Sequence, residues 1–225
     1  RNLYLSQLSC LNKMLKQIRS RLKEKSFSTI ALLIACLVFV FLLSVIEFKT
    51  SLVSVVIFSI ILLLSAYSIN SKVILFAFGA ILLELATRAT DFIYLHYVAE
   101  LLTNLFIIFI VASVIKALLV KKKVDIYALV EAINGYLLLA IMFISLVAFC
   151  DLYIPGSYNA TGKSDMELVY YSMITLTTAG YGDITPQLPI SQSLSMLIAV
   201  TGQFYVAIIV AILVGKFSSG KMMTE

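Results

Sequence analysis

Residues able to carry side-chain chemistry are few and scattered in this chain. Cys10, Cys36 and Cys150 lie far apart, and His96 is the one histidine. No nucleophile, metal cluster or carboxylate pair lines a shared segment, and Cys150 has no histidine near it in sequence, so an enzyme is not expected. The cysteine scatter also speaks against a disulfide framework or a metal site. One stretch offers backbone chemistry instead: Thr177, Thr178, Ala179, Gly180, Tyr181, Gly182 and Asp183. Glycine enters left-handed backbone conformations freely. Gly180 and Gly182 therefore let the chain alternate between ordinary and left-handed residues, the pattern that aims successive carbonyls at one axis.

The element that must hold this stretch precedes it. Met166 to Leu176 has a short apolar helical pattern, and Ser164 and Glu167 have the spacing of a capping box at its start. The carboxyl end of such a helix carries partial negative charge and favours a cation beyond it. Pro186 marks the exit on the far side.

Together these residues resemble the pore loop of potassium channels. The resemblance covers residues 126–217 closely and the wider layout more loosely. It implies that the carbonyls of Thr178, Ala179, Gly180 and Tyr181, with the Thr178 hydroxyl at the inner end, form the potassium sites, and that Gly182 completes the selectivity filter. Such carbonyls replace the water that an ion loses, a loss that would otherwise cost tens of kcal/mol in a low-dielectric interior. Thr177, Asp183, Tyr170 and Tyr171 would support the filter. One loop cannot surround an ion, so the resemblance implies a homotetramer in which three further copies complete the pore. Potassium is then the permeant ion, and no cofactor is expected.

Two positions depart from the family pattern. Ala179 stands where valine or isoleucine is more usual, which removes methyl groups that would pack behind the filter. Tyr170 and Tyr171 align with a pair that is often tryptophan. Two alternatives stay open beside the potassium channel: a weakly selective cation channel, and a silent or regulatory channel subunit.

The composition fits this setting. Of 225 residues, 61% are hydrophobic and 13% charged, a balance that belongs to a polytopic membrane protein. At roughly 20 apolar residues per helical span, the pattern reads as an all-α membrane protein with six transmembrane helices plus a reentrant pore helix and filter loop. The spans are expected at 27–46, at about 51–69, from near 73 to the 87–91 region, centred on 101–115 with His96 and Glu100 near its start and Lys116 near its end, at roughly 126–150 and at about 188–215. The domains follow: 1–25 a cytoplasmic amphipathic helix, 26–120 a four-helix peripheral domain like that of voltage-gated relatives, 121–217 the pore domain, and 218–225 a short cytoplasmic tail. The first residue is Arg1 and not Met, and residues 1–25 lack the apolar core of a secretory signal.

With cytoplasmic termini, fourteen Lys and Arg fall inside and three outside, namely Lys49, Arg88 and Lys163. The positive-inside rule therefore sets this orientation and puts residues 151–187 on the outer face. The plasma membrane is the expected location. Along residues 1–25, Tyr4, Leu8, Leu11, Leu15, Ile18 and Leu22 form one apolar stripe among basic residues, suited to anionic lipids of the inner leaflet. Nucleic acid is not an expected partner.

Control of opening is less visible. The fourth helix of voltage-gated relatives carries arginines every third residue, whereas residues 92–115 hold no Lys or Arg. One charge crossing the full field yields about 2.3 kcal/mol per 100 mV, so conventional voltage sensing is not expected. With only the short tail beyond the pore domain, a ligand would act through the membrane domain, the amino-terminal helix or a partner. Glu84 and Arg88 read as an ordinary helical pair, His96 as a solvated helix-end residue, and Asn159 to Thr161 as a glycosylation sequon. Gly202, Ala207 and Ala211 are the gate or hinge candidates. Gly202 fits either a hinge or a close-packing contact, and Ala207, Ala211 and Gly215 recur at four-residue steps.

Overall fold

A computed structural model describes residues 27–42, 52–69, 71–89, 93–120, 126–160 and 165–221. The amphipathic stretch 1–25, Lys121 to Lys123, the capping Ser164, Thr161 of the sequon and residues 222–225 lie outside these. So do the side chains of Glu84, Arg88 and His96.

The described residues are helical apart from loops, with one isolated antiparallel bridge between Tyr158 and Pro186 and no strand. Helix α1 (Phe27–Phe41) runs into a π-helical turn at Val38–Leu42. It is followed by α2 (Leu52–Ile69), α3 (Ser71–Ala89), α4 (Ile93–Val120), α5 (Ile126–Tyr153), α6 (Asp165–Leu176) and α7 (Pro189–Lys221). Three of these contain stretches long and apolar enough to cross a membrane: Tyr97–Ala117, Ile126–Tyr153 and Pro189–Lys216. The apolar stretches Phe27–Phe41, Val56–Tyr67 and Val73–Leu83 are shorter. The fourth helix begins at Ile93, with its apolar stretch from Tyr97, and Glu100 lies inside it.

Helix α5 is the central post. It has no proline and one glycine, and its span is 67% buried, against 22% for that of α7. It packs on α4, α6 and α7, and Asn134 Nδ2 donates to the Thr29 carbonyl of α1 at 2.8 Å. Between α4 and α5 three polar side chains are linked, which offsets part of the cost of burying them in an apolar medium, although the buried Asn104 Oδ1 has no hydrogen-bond partner among the described residues. Ser145 donates to the Glu100 carboxylate, while Asn104 Nδ2 donates to the Glu100 carbonyl at 3.0 Å and to Ser145 Oγ at 3.2 Å. Above them Tyr97, Phe149 and Tyr153 stack with centroids 4.4–5.1 Å apart, within the range where aromatic pairs add to burial. At the opposite end, Lys216 Nζ of α7 donates to the Leu119 carbonyl at 2.7 Å, capping α4 where its dipole is negative.

Against α5 lean α6 and the first half of α7, leaving the segment 177–188 on an open side. Much of the apolar surface of α7, including Met196, Val200, Phe204 and Val210, is exposed in the single chain.

Candidate functional site

Helix α6 ends at Leu176, and the chain leaves it through hydrogen bonds that point back into the helix. Thr177 N–H donates to the Met173 carbonyl and Thr178 N–H to that of Thr175, both at 3.0 Å. Ala179 and Gly180 N–H share the Ile174 carbonyl, at 2.9 and 3.2 Å. Orphan carbonyls of the last turn are thereby satisfied. Since no peptide among the described residues is cis, each carbonyl points opposite to the N–H across its own peptide. The carbonyls of Thr177, Thr178 and Ala179 are consequently turned away from α6.

Beyond this turn the backbone alternates. Thr178, Gly180 and Gly182 have φ of 59°, 51° and 79°, and neither Ala179 nor Tyr181 has positive φ. The two glycines take left-handed positions without strain. Threonine does not: a β-branched residue there is an outlier costing about 1–3 kcal/mol, held only where its surroundings over-determine it. Residues 177–183 are all exposed in the single chain, Tyr181 to 75%.

The end of the loop nearer α7 in sequence is tied on two sides. Tyr170 hydrogen-bonds with Asp183, and this bond is the main reason that its hydroxyl holds its proton above the usual phenol range. Asn159 accepts from Thr185 N–H through its side chain at 2.5 Å and donates its own N–H to the Thr185 carbonyl at 3.2 Å. Gln187 N–H donates to the Ser157 carbonyl at 2.8 Å, and Ser191 Oγ donates to the same carbonyl at 2.7 Å. Tyr158 packs on Tyr171 with centroids 4.9 Å apart, and burial pushes the Tyr158 hydroxyl well up from its ordinary value. Tyr171 is buried, its hydroxyl paired with that of Ser195 on α7. Of the two aromatic supports named from sequence, Tyr170 therefore meets the loop through Asp183, while Tyr171 fixes α6 to α7.

At the α6 end of the loop three helices meet around the Leu176 carbonyl. Tyr136 of α5 donates to it at 3.4 Å. Gly202 of α7 lies so close that a Cβ there would be 2.1 Å from the same oxygen. Tyr205 donates to the Ala132 carbonyl of α5 at 2.7 Å, over Gly135, where a Cβ would be 2.2 Å from the tyrosine oxygen. Gln203 Nε2 donates to Thr178 Oγ1 at 2.8 Å. Gly202 thus makes the close-packing contact, and α7 runs unbroken as helix through it. Ala207 and Ala211 are exposed further along α7, away from the loop in sequence.

Sequence reasoning missed Gln203, Tyr205, Tyr136 and Gly135. One signal was available for the last three: a single glycine and two tyrosines inside apolar helices, each a group that needs a partner or a close neighbour. Gln203, one of two carboxamides in α7 with Gln192, was also visible as a polar group without a stated role.

Residues 135–219, from the middle of α5 to near the end of α7, match a family model described as ion channel. That match and the apolar helices support an ion channel in a membrane, and a transport role rather than an enzymatic one. No solved structure matches the chain.

Proposed function

We propose that the chain is one subunit of a potassium-selective channel, with four copies surrounding a filter built from residues 178–182. The observation that carries this reading is the alternation of left-handed residues at Thr178, Gly180 and Gly182, with the amides of Ala179 and Gly180 both drawn back to Ile174. A loop so arranged offers carbonyls of Thr178, Ala179, Gly180 and Tyr181 to an axis outside the subunit, where they replace the hydration shell of a potassium ion. The carboxyl end of α6 adds its partial negative charge on the inner side. The open side of the loop and the exposed apolar surface of α7 are what three further copies and lipid would cover.

In this reading α1 to α4 form a peripheral domain, six helices span the membrane, both termini are cytoplasmic, and residues 1–25 rest on anionic lipid of the plasma membrane's inner leaflet. Potassium is the permeant ion and no cofactor takes part. Lys116 is the one Lys or Arg in α4, so opening is driven by something other than an arginine-bearing sensor.

The test is ion flux from liposomes containing only the purified chain, with potassium and sodium gradients compared and Gly180→Asp as control. Potassium flux abolished by the substitution supports the filter. Equal flux of the two ions would favour a weakly selective cation channel, with Ala179 as the residue to restore to valine. No flux from a folded tetramer at any voltage would favour a silent subunit.

A further inference from the structure

Gln203 makes a contact that the filter reading alone does not require. Its carboxamide reaches from α7 to the hydroxyl of Thr178, 2.8 Å away, and both residues are exposed in the single chain. Core packing does not force a flexible side chain into that position; the hydrogen bond does. Two neighbouring features make the position exact in height and consequence. Gly202, the preceding residue, is pressed against the Leu176 carbonyl at the end of α6, which fixes where Gln203 stands relative to the loop. Thr178 is the one non-glycine residue with positive φ among the described residues, so its conformation depends on contacts of this kind.

We propose that Gln203 is a positioning residue for the innermost potassium site, which it sets by orienting the Thr178 hydroxyl; this rests on the reading of residues 178–182 as the filter. A hydroxyl has one proton and two lone pairs. The Gln203 amide occupies one lone pair. The other then remains for the ion, and the proton must turn elsewhere, so the oxygen is presented to the ion as an acceptor. Because the donor sits on α7 beside the Gly202 contact, a shift of α7 against α6 alters this site directly. The inner helix and the filter are thereby linked through a single hydrogen bond.

The probe is barium, an ion of nearly potassium's size and twice its charge, applied from the cytoplasmic side to the purified channel in planar bilayers. Removing a neutral hydrogen bond changes an equilibrium about three- to tenfold. Gln203→Leu is expected to weaken barium block by about that factor and to lower the preference for potassium over sodium, with the thermal midpoint of the tetramer unchanged. Thr178→Ala is expected to weaken block as well, and the double variant to be no weaker than Thr178→Ala alone, since both remove one interaction. Gln203→Met, similar in length and unable to donate, must reproduce the leucine variant if that one assembles poorly. Block unchanged in both Gln203 variants, or losses that simply add in the double variant, would overturn the proposal while leaving a conducting wild type and its filter intact. A wild-type tetramer that passes no potassium would overturn the filter reading, and this inference with it.

Discussion

Gly202 of α7 and Leu176 of α6 touch through main chain: a Cβ at Gly202 would sit 2.1 Å from the Leu176 carbonyl oxygen and 3.0 Å from a leucine methyl. Helices α7 and α6 therefore meet at a point with no room for a side chain at Gly202. Gly202→Ala must push α7 off the end of α6, an overpacking cost of about 1–3 kcal/mol. The expected outcome is a lower thermal midpoint for the detergent-solubilised protein, and flux reduced in step with the fraction assembled. An alanine variant with wild-type stability and flux would show that α7 stands further from α6.

The left-handed positions of the loop make a stereochemical prediction. Gly182 has φ of 79°, and nothing lies within 4 Å of where its Cβ would be, so the penalty for L-alanine is conformational and not steric crowding. It amounts to about 1–2 kcal/mol. D-alanine, introduced by semisynthesis, adopts that conformation without penalty. Selective potassium flux is expected to survive D-alanine at Gly182 and to fall with L-alanine; equal effects from the two enantiomers would contradict the backbone assigned here.

Tyr205 and Gly135 form the second glycine contact, with the Tyr205 hydroxyl donating to the Ala132 carbonyl at 2.7 Å. Tyr205→Phe is expected to cost about 1 kcal/mol. Gly135→Ala, whose methyl would collide with the tyrosine oxygen, should cost more. Adding Tyr205→Phe to Gly135→Ala should recover part of that loss by removing the colliding atom, which thermal melts of the four proteins would reveal as a non-additive cycle.

Voltage dependence should be shallow. Lys116, close to the carboxyl end of α4, is the one Lys or Arg on that helix, and even one charge moved through the entire field supplies only about 2.3 kcal/mol per 100 mV. Open probability measured across a ramp is expected to change gradually, and Lys116→Gln to leave the slope nearly unaltered. A steep sigmoid in the wild type would require charges elsewhere to move.

The order of the helices was legible because residues 132–150 of α5 and 189–215 of α7 are long apolar runs without charge, and because Gly180 and Gly182 announce a left-handed backbone. The limits were less legible. Glu100 was placed only near the start of the fourth span, yet it lies within the packed face of α4 and α5, where Asn104 donates to its carbonyl and Ser145 to its carboxylate, the second a tertiary compensation from 45 residues away in sequence. Thr178 was named for its hydroxyl and carbonyl, but its left-handed backbone runs against the preference of a β-branched residue. Gly202 was open between a hinge and a close-packing contact, and its closeness to the Leu176 carbonyl involves a neighbour that no local pattern announces. Gln203 escaped notice for the same reason, its partner being 25 positions away.

The central claim, that residues 178–182 select potassium, is tested most directly by the reversal potential of purified channels in planar bilayers with potassium on one side and sodium on the other. The account predicts a reversal potential that follows the potassium gradient, stays put when sodium is varied, and vanishes with the current in Gly180→Asp. A wild-type current that reverses near zero under these bi-ionic conditions, showing sodium to pass as readily as potassium, would contradict it.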